Sequence, residues 1–461
     1  MIDVFKTLLA YFSGMDYGEL RFHERVSTGI AMRHGELEAI ANVNYSGVGI
    51  RALYQGGWGF SSTSRLDLID IKKAISDACI AAKVASKGKV NKNVKLAPAK
   101  LAKGRFSPII NDPLVNHTLE EKLELVKNTE TKLRAASKLI QSVRVAYIEQ
   151  LNKKFIVTTD GAECEILDSK PEFLIFVVAG NGNDMVEALA GLGVTGGWQE
   201  LFGQRTPDEF IEIVIKRAEA LLNAKYPKGE KTTVILDPGL VGLIAHEAIG
   251  HTVEADFVSS GAITKDKIGQ RVASDLITLF DSGDEGSAAG TILVDDEGVI
   301  TKKTIIIENG ILKSYLHNRQ SAEEYGVEPT GNARAFEYSD EPIIRMRNTA
   351  IAPGDKTLEE IIDDVKYGYL LKGAKGGQAD ANAEFMFGVQ EAYKIINGKI
   401  DELYRGVTIS GQAFDVLMSV DAVSKDFKWD MGFGYCGKWQ RAKVDGGGPY
   451  LRCQAIIGGR Q

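Results

Sequence analysis

Cysteine is scarce in this chain, with four in 461 residues, at Cys79, Cys164, Cys436 and Cys453. That number and that scatter exclude a disulfide-stapled secreted scaffold and fit a reducing compartment. Long hydrophobic runs are missing as well. The longest, Phe173 to Ala179, falls far short of the roughly 20 residues that span a bilayer, so no membrane partner is expected. An excess of positive charge is also lacking, because 55 lysines and arginines stand against 62 aspartates and glutamates for a net charge of −7. This is the wrong sign for a chain whose work is to neutralise phosphates, and nucleic acid is not an expected partner. Proline is rare, 11 against 49 glycines, while 44% of residues are hydrophobic, which excludes disordered and collagen-like chains. Near the start, Phe5, Leu8, Leu9 and Phe12 share a helical face, with neither a basic leader nor a small-residue cleavage site. The segment reads as an amphipathic helix and the protein as cytoplasmic.

What is present is enough apolar material for two or three cores, since single cores stop growing near roughly 250 to 300 residues. Two polar stretches interrupt the periodic pattern, a lysine-rich one from Lys87 to Gly104 and a second from Asn223 to Lys231. Read as linkers, they divide the chain into an N-terminal α/β domain, 1–88, a central α/β domain, 104–224, and a β-rich C-terminal domain, 231–461. The first block ends in a helix over Leu66–Ala85 with Leu66, Ile69, Ala74, Ile75 and Ala78 near one face. The second repeats helix, strands and helix, and the third carries hairpins with Asn309-Gly310 and Asn397-Gly398 turns. The fold class is α+β, with mixed N-terminal blocks and a large β-rich C-terminal domain that carries the helix discussed next.

Only six histidines exist, and two of them, His246 and His251, lie five apart with Glu247 directly after the first. Two imidazoles one turn apart with a flanking glutamate are the zinc-binding arrangement of many peptidases. Here there is one residue too many. On a regular α-helix five steps place the second histidine about 140° around and about 7.5 Å along, against about 40° and 6 Å for four. One zinc ion cannot be reached from opposite sides of a regular helix, so a metal site requires a distortion. A π-type turn closing i to i+5 would align the pair, and Gly250, just before the second histidine, lowers the cost of that turn. The plainer alternative is two buried histidines on an ordinary helix. A catalytic zinc needs a third protein ligand, for which Glu254, Asp256, His317, Cys436 and Cys453 are candidates, Cys436 ahead of Glu254 because zinc favours thiolate.

The string His246–Phe257 resembles the signature of the metal-bearing TldD branch of the TldD/PmbA peptidase family. Gly376-Gly377-Gln378, Phe387–Lys399, Thr330–Arg334, Arg345–Thr349 and Tyr435–Lys438 resemble that family too. The resemblance implies one Zn²⁺ per chain held by His246, His251 and Cys436, with Glu247 as the catalytic glutamate of a metallopeptidase. It further implies a heterodimer with a metal-lacking family member, or a homodimer. Glu254 is expected to hydrogen-bond a ligand imidazole and fix its tautomer, and Arg334 and Tyr338 are candidate oxyanion donors. Expected substrates are unfolded or short peptides cleaved at many sequences, added as a strand to a sheet edge. The competing reading is a peptide-binding or modulator subunit whose metal is structural, closed by Asp256 or Cys453 as a fourth ligand.

Overall fold

β1 (Tyr17–Arg33) and β2 (Glu36–Tyr54) form one long hairpin. Its two-residue turn, His34-Gly35, has positive φ at both positions, 49° and 87°, the turn whose twist matches that of the strands. The computed structural model describes residues 2–88, 94–182, 184–380 and 382–459. β1 pairs on its other side with β5 (Ile140–Thr158), from Glu19 opposite Thr158 to Arg33 opposite Arg144. One sheet therefore runs through both N-terminal blocks. Its order is β3 (Gly57–Thr63), β2, β1, β5, β6 (Glu163–Gly180), β4 (Lys103–Phe106), with β7 (Met185–Gly193) also on β6.

Helices cover one face of this sheet in two patches. Under the helix Leu68–Lys87 lie Leu20, Phe22, Val48 and Ile50. Val145, Tyr147, Phe173 and Ile175 share a second apolar cluster with Phe210 and Val214 of the helix Pro207–Leu222. The opposite face of β1 bears Glu19, Arg21, His23 and Arg25, and these are buried too, because the C-terminal part docks there. Arg21 donates to the carbonyls of Glu337 and Asp340, Arg25 donates to that of Phe336, and Arg51 pairs with Glu297 at 3.0 Å.

Three sequence expectations change in detail. The first closing helix starts after Asp67, whose carboxylate caps the amides of Ile69 and Asp70. Its buried face is Ile71, Ala74, Ile75, Ala78 and Ala82, while Leu66 and Ile69 face solvent. The lysine-rich stretch, of which residues 89–93 lie outside the described residues, ends in a strand, since β4 pairs in parallel with β6. Its apolar anchors Leu101 and Ala102, too few to give a period, bridge to Val299 and Gly298. From Asn223 to Gly229 the chain is irregular but tied down, with Lys225 bridged to Tyr404, and the next strand already begins at Glu230.

The C-terminal part is built on a closed ring of five strands. The strand Tyr367–Ala379 pairs in parallel with β8 (Glu230–Leu236), which continues through Leu451–Gly458, Val407–Gln412 and Glu384–Ile396 back to Tyr367–Ala379. The Asn397-Gly398 turn takes φ of 50° and 76° and opens the outer strand Lys399–Tyr404. Val234, Leu371, Phe387, Ile409 and Ile457 fill the interior and share one apolar cluster with the helical stretch that follows β8. No helix among the described residues is long and apolar enough to cross a membrane.

Candidate metal centre

The helical stretch begins where β8 ends. Asp237 accepts from the amide of Leu240 at 3.0 Å and from that of Gly373 at 2.7 Å, so one carboxylate caps the helix and ties it to the barrel. Pro238 occupies the first turn, where its missing N–H costs nothing. The α-helix lasts only to Leu243, and Ile244–Gly250 is π-helical. The N–H of His251 bonds the carbonyl of His246, an i to i+5 closure between the two histidines themselves. Their rings lie 5.3 Å apart at 81°.

Gly250 serves this turn for a reason the sequence does not reveal. Its φ is −55°, ordinary helix, so backbone freedom is not what it supplies. A β-carbon there would lie 1.9 Å from the sulfur of Met346, itself 1% exposed. Alanine in place of a helical glycine gains about 0.5–1 kcal/mol, whereas overfilling a packed core costs about 1–3 kcal/mol. Gly250→Ala is therefore expected to destabilise by about 1–2 kcal/mol, read as a lower denaturation midpoint; an unchanged or raised midpoint would mean that Met346 yields freely.

The third member arrives from far along the chain, on the hairpin Tyr435–Lys438/Gln440–Lys443. Strand alternation turns Cys436 and Lys438 inward and Gly437 outward. Arg345 holds this hairpin by donating to the carbonyls of Cys436 and Gln440 at 2.8 and 2.7 Å. The sulfur of Cys436 lies 3.1 Å from Nε2 of His251, and one ligand atom from each of His246, His251 and Cys436 falls within 4.8 Å of the others.

The chemistry of this trio fits a soft divalent metal. Neither ring nitrogen of His246, a buried residue, has a hydrogen-bond partner among the described residues, a state that costs about 1–3 kcal/mol per group without a ligand. Two imidazoles and a thiol are a donor set suited to zinc. Burial would push the Cys436 thiol up, but His246 and His251 facing it bring it down to about 4, so the sulfur is thiolate. Against its own burial, His251 is raised to about 10 by Cys436 and Glu254.

Glu254 is fully buried and holds Nδ1 of His251 at 3.0 Å, leaving Nε2 toward the cysteine. Burial alone would raise its carboxyl, yet the bond to His251 and the charge of Lys438 hold it low. Lys438 is the residue that sequence reasoning missed. Its ammonium reaches Glu254 at 3.1 Å, Asp256 at 2.7 Å and the carbonyl of Ile344 at 3.0 Å. The available signal was its place two residues after Cys436, on the same strand face.

Other candidates lie elsewhere. His317 bonds Ser321 at 3.1 Å, Cys453 is enclosed in the barrel core, and Asp256 is engaged by Lys438. Arg334 spends its guanidinium on the carbonyls of Met346 and Lys443, and Tyr338 packs over Gly47. Neither is among the residues lining the opening over the trio: Arg334 is bonded within the C-terminal part, and Tyr338 packs against the N-terminal sheet. Glu247 does line it. Its Oε2 sits 3.9 Å from Nε2 of His251, and its side chain is 27% exposed in an opening of about 430 Å³ shared with His251, Phe257 and Trp439.

Comparison with known proteins matches three family models in chain order: PmbA/TldA metallopeptidase domain 1 over residues 18–82, the central domain over 112–222, and the C-terminal domain over 229–458. A protein of Methanocaldococcus jannaschii named a metalloprotease is 37% identical over 451 residues, 96% of this chain and 97% of the relative. A zinc metalloprotease TldD homolog of Saccharolobus solfataricus is 29% identical, covering 97% of each chain. Among solved structures, TldE of Thermococcus kodakarensis superposes with a TM-score of 0.81 at 19% identity, over 99% of this chain and 100% of the other. A Thermotoga maritima protein described as a putative modulator of a DNA gyrase also gives 0.81, at 21% identity and the same coverage. These two establish the fold.

Proposed function

The chain belongs to the PmbA/TldD metallopeptidase family, and we propose that it is a zinc-dependent peptidase of the cytoplasm that hydrolyses unfolded or short peptides. The observation that carries this reading is the trio His246, His251 and Cys436, open on one side, with Glu247 at that opening. His246, His251 and Cys436 would hold one zinc ion per chain, whose positive charge would polarise a peptide carbonyl and ease deprotonation of water. Glu247 accepts on its carboxylate the proton of the water that attacks the carbonyl carbon, then delivers it to the nitrogen of the departing amine. Glu254 fixes the tautomer of His251, and Lys438 anchors Glu254 and the cysteine hairpin together.

The competing reading, a modulator subunit with a structural metal, draws on the descriptions of two structural relatives. It needs a fourth protein ligand, and both candidates are committed elsewhere, Asp256 to Lys438 and Cys453 to the barrel core. The discriminating experiment incubates the zinc-loaded chain with one protein in folded and unfolded forms. Cleavage of the unfolded form alone supports the proposal; no cleavage of either form, beside full metal occupancy, supports the modulator.

We propose in addition that the chain associates with a second family member, either a copy of itself or a metal-lacking relative. β2 residues 36–44 pair with β1 on one side and with no strand on the other among the described residues. Leu37, Ile40 and Val43 on this open edge are 49%, 46% and 52% exposed, and an uncovered apolar edge strand is a site of association. Ile40→Lys with Val43→Lys is expected to convert a dimer into a monomer by light scattering, for the chain alone or mixed with such a relative. An unchanged dimer mass would place the interface elsewhere.

A further inference from the structure

Of the large apolar side chains among the described residues, Trp439 is the most exposed, at 84%, and it is held there at a cost. Its φ is 57°, the left-handed region that costs a bulky residue about 1–3 kcal/mol and persists where the surroundings enforce it. The position is the tip of the hairpin that carries Cys436, between Lys438 and Gln440. A glycine would relieve the strain and an ordinary polar residue would avoid the exposure.

The indole overlooks the opening at the metal centre. Phe257, three residues beyond Glu254, lies 6.2 Å from Trp439 and 6.1 Å from His251, centroid to centroid. The two aromatics thus lead from the rim down to the trio. Ala262 and Ala379 complete the apolar wall of the roughly 430 Å³ opening, and Glu247 lies in the same opening. Asp380 sits at its edge, its carboxylate accepting from the amides of Asn382 and Glu384. The space is concave, mainly apolar and supplied with a few fixed polar groups, the make-up of a side-chain subsite.

We propose that Trp439 and Phe257 form the side-chain subsite of the enzyme, taking an apolar, preferentially aromatic, residue beside the scissile peptide bond and rejecting an acidic one. This rests on the peptidase reading given above. An aromatic substrate side chain stacks on Trp439 and removes its exposed surface from water. An acidic one would instead meet the carboxylates of Glu247 and Asp380 in an apolar cleft, where like charges repel and desolvation is costly, since the ammonium of Lys438 in the same lining is already engaged by Glu254 and Asp256. Backbone-directed binding leaves the rest of the sequence free, so the preference is confined to one position.

The test uses peptides identical except for Phe, Gly or Asp at one residue beside the cleaved bond, with the zinc-loaded full-length chain. The wild type is expected to prefer Phe over Gly by about 10- to 200-fold in kcat/KM, and Asp is expected to be the poorest. In Trp439→Ala the ratio of Phe to Gly should collapse to within a few-fold, through KM, with metal content retained, and Trp439→Phe should restore most of it. Binding of the same peptides to Glu247→Gln, read by equilibrium dialysis, should give the same ranking. If no peptide is hydrolysed but that ranking exists and collapses when Trp439→Ala is added, the peptidase reading fails and the subsite stands. An equal ranking with and without Trp439, in hydrolysis and in binding, overturns the subsite. So does a Trp439→Ala chain whose only change is its mass in light scattering, which would assign the indole to a protein partner.

Discussion

Glu247→Gln is expected to keep its metal and to lose peptide hydrolysis by about a hundred- to ten-thousand-fold, the range supplied by a positioned general base. The amide has the shape of the carboxylate but cannot take a proton from water. Among the described residues no ion pair closer than 3.9 Å depends on its charge. Glu247 is partly exposed at the opening, and its nearest ionic neighbour, Nε2 of His251, is 3.9 Å away, beyond hydrogen-bond range. A substitution of this kind at such a place changes stability by at most about 0.5 kcal/mol. Metal content and melting temperature should therefore match the wild type while turnover falls. Activity within a few-fold of wild type would remove Glu247 from the reaction.

The second large effect concerns the sulfur. Cys436→Ser should weaken zinc binding by more than the about 10- to 100-fold typical of changes to outer hydrogen-bond partners, because a serine hydroxyl stays protonated where the cysteine is already thiolate. Equilibrium competition against a chromophoric chelator measures this. The control is Cys453→Ser, in which a hydroxyl replaces a thiol inside the apolar barrel. Leaving that hydroxyl unsatisfied costs about 1–3 kcal/mol, so the control should melt earlier and bind zinc as the wild type does. Reversal of the two phenotypes would assign the ligand to the wrong cysteine.

The part of this site that the sequence discloses is the part set by local geometry. Two histidines five positions apart are incompatible with one metal on a regular helix, and a π turn between His246 and His251 is what the chain adopts. Cys436 is 185 residues away from His251, so no spacing rule reaches it, and resemblance to a family was needed to single it out. Gly250 was legible as special, but the cause lies with Met346, nearly a hundred residues on, and not with backbone freedom. The role of Lys438 is not legible, because its partners Glu254 and Asp256 come from a distant element.

The same division holds for the fold. Helix caps and Asn-Gly hairpin turns act within four residues and are readable, as at Asn397-Gly398. The alternating polar residues Glu19, Arg21, His23 and Arg25 are buried against the C-terminal part, Arg21 and Arg25 donating to the carbonyls of Phe336, Glu337 and Asp340, His23 and Arg25 bonded to Asn152, and Glu19 paired with Arg51. Single-residue polarity cannot distinguish solvent from a polar domain interface. The open edge of β2 shows the converse, since the apolar Leu37, Ile40 and Val43 are exposed.

The central claim is that two histidines and one distant cysteine hold the metal, and zinc K-edge X-ray absorption on the zinc-loaded full-length chain tests it most directly. The account predicts one sulfur near 2.3 Å and two imidazole nitrogens at about 2.0–2.1 Å, with the sulfur shell lost in Cys436→Ser and kept in Cys453→Ser. A wild-type spectrum without sulfur, or a sulfur shell that survives Cys436→Ser, would contradict it.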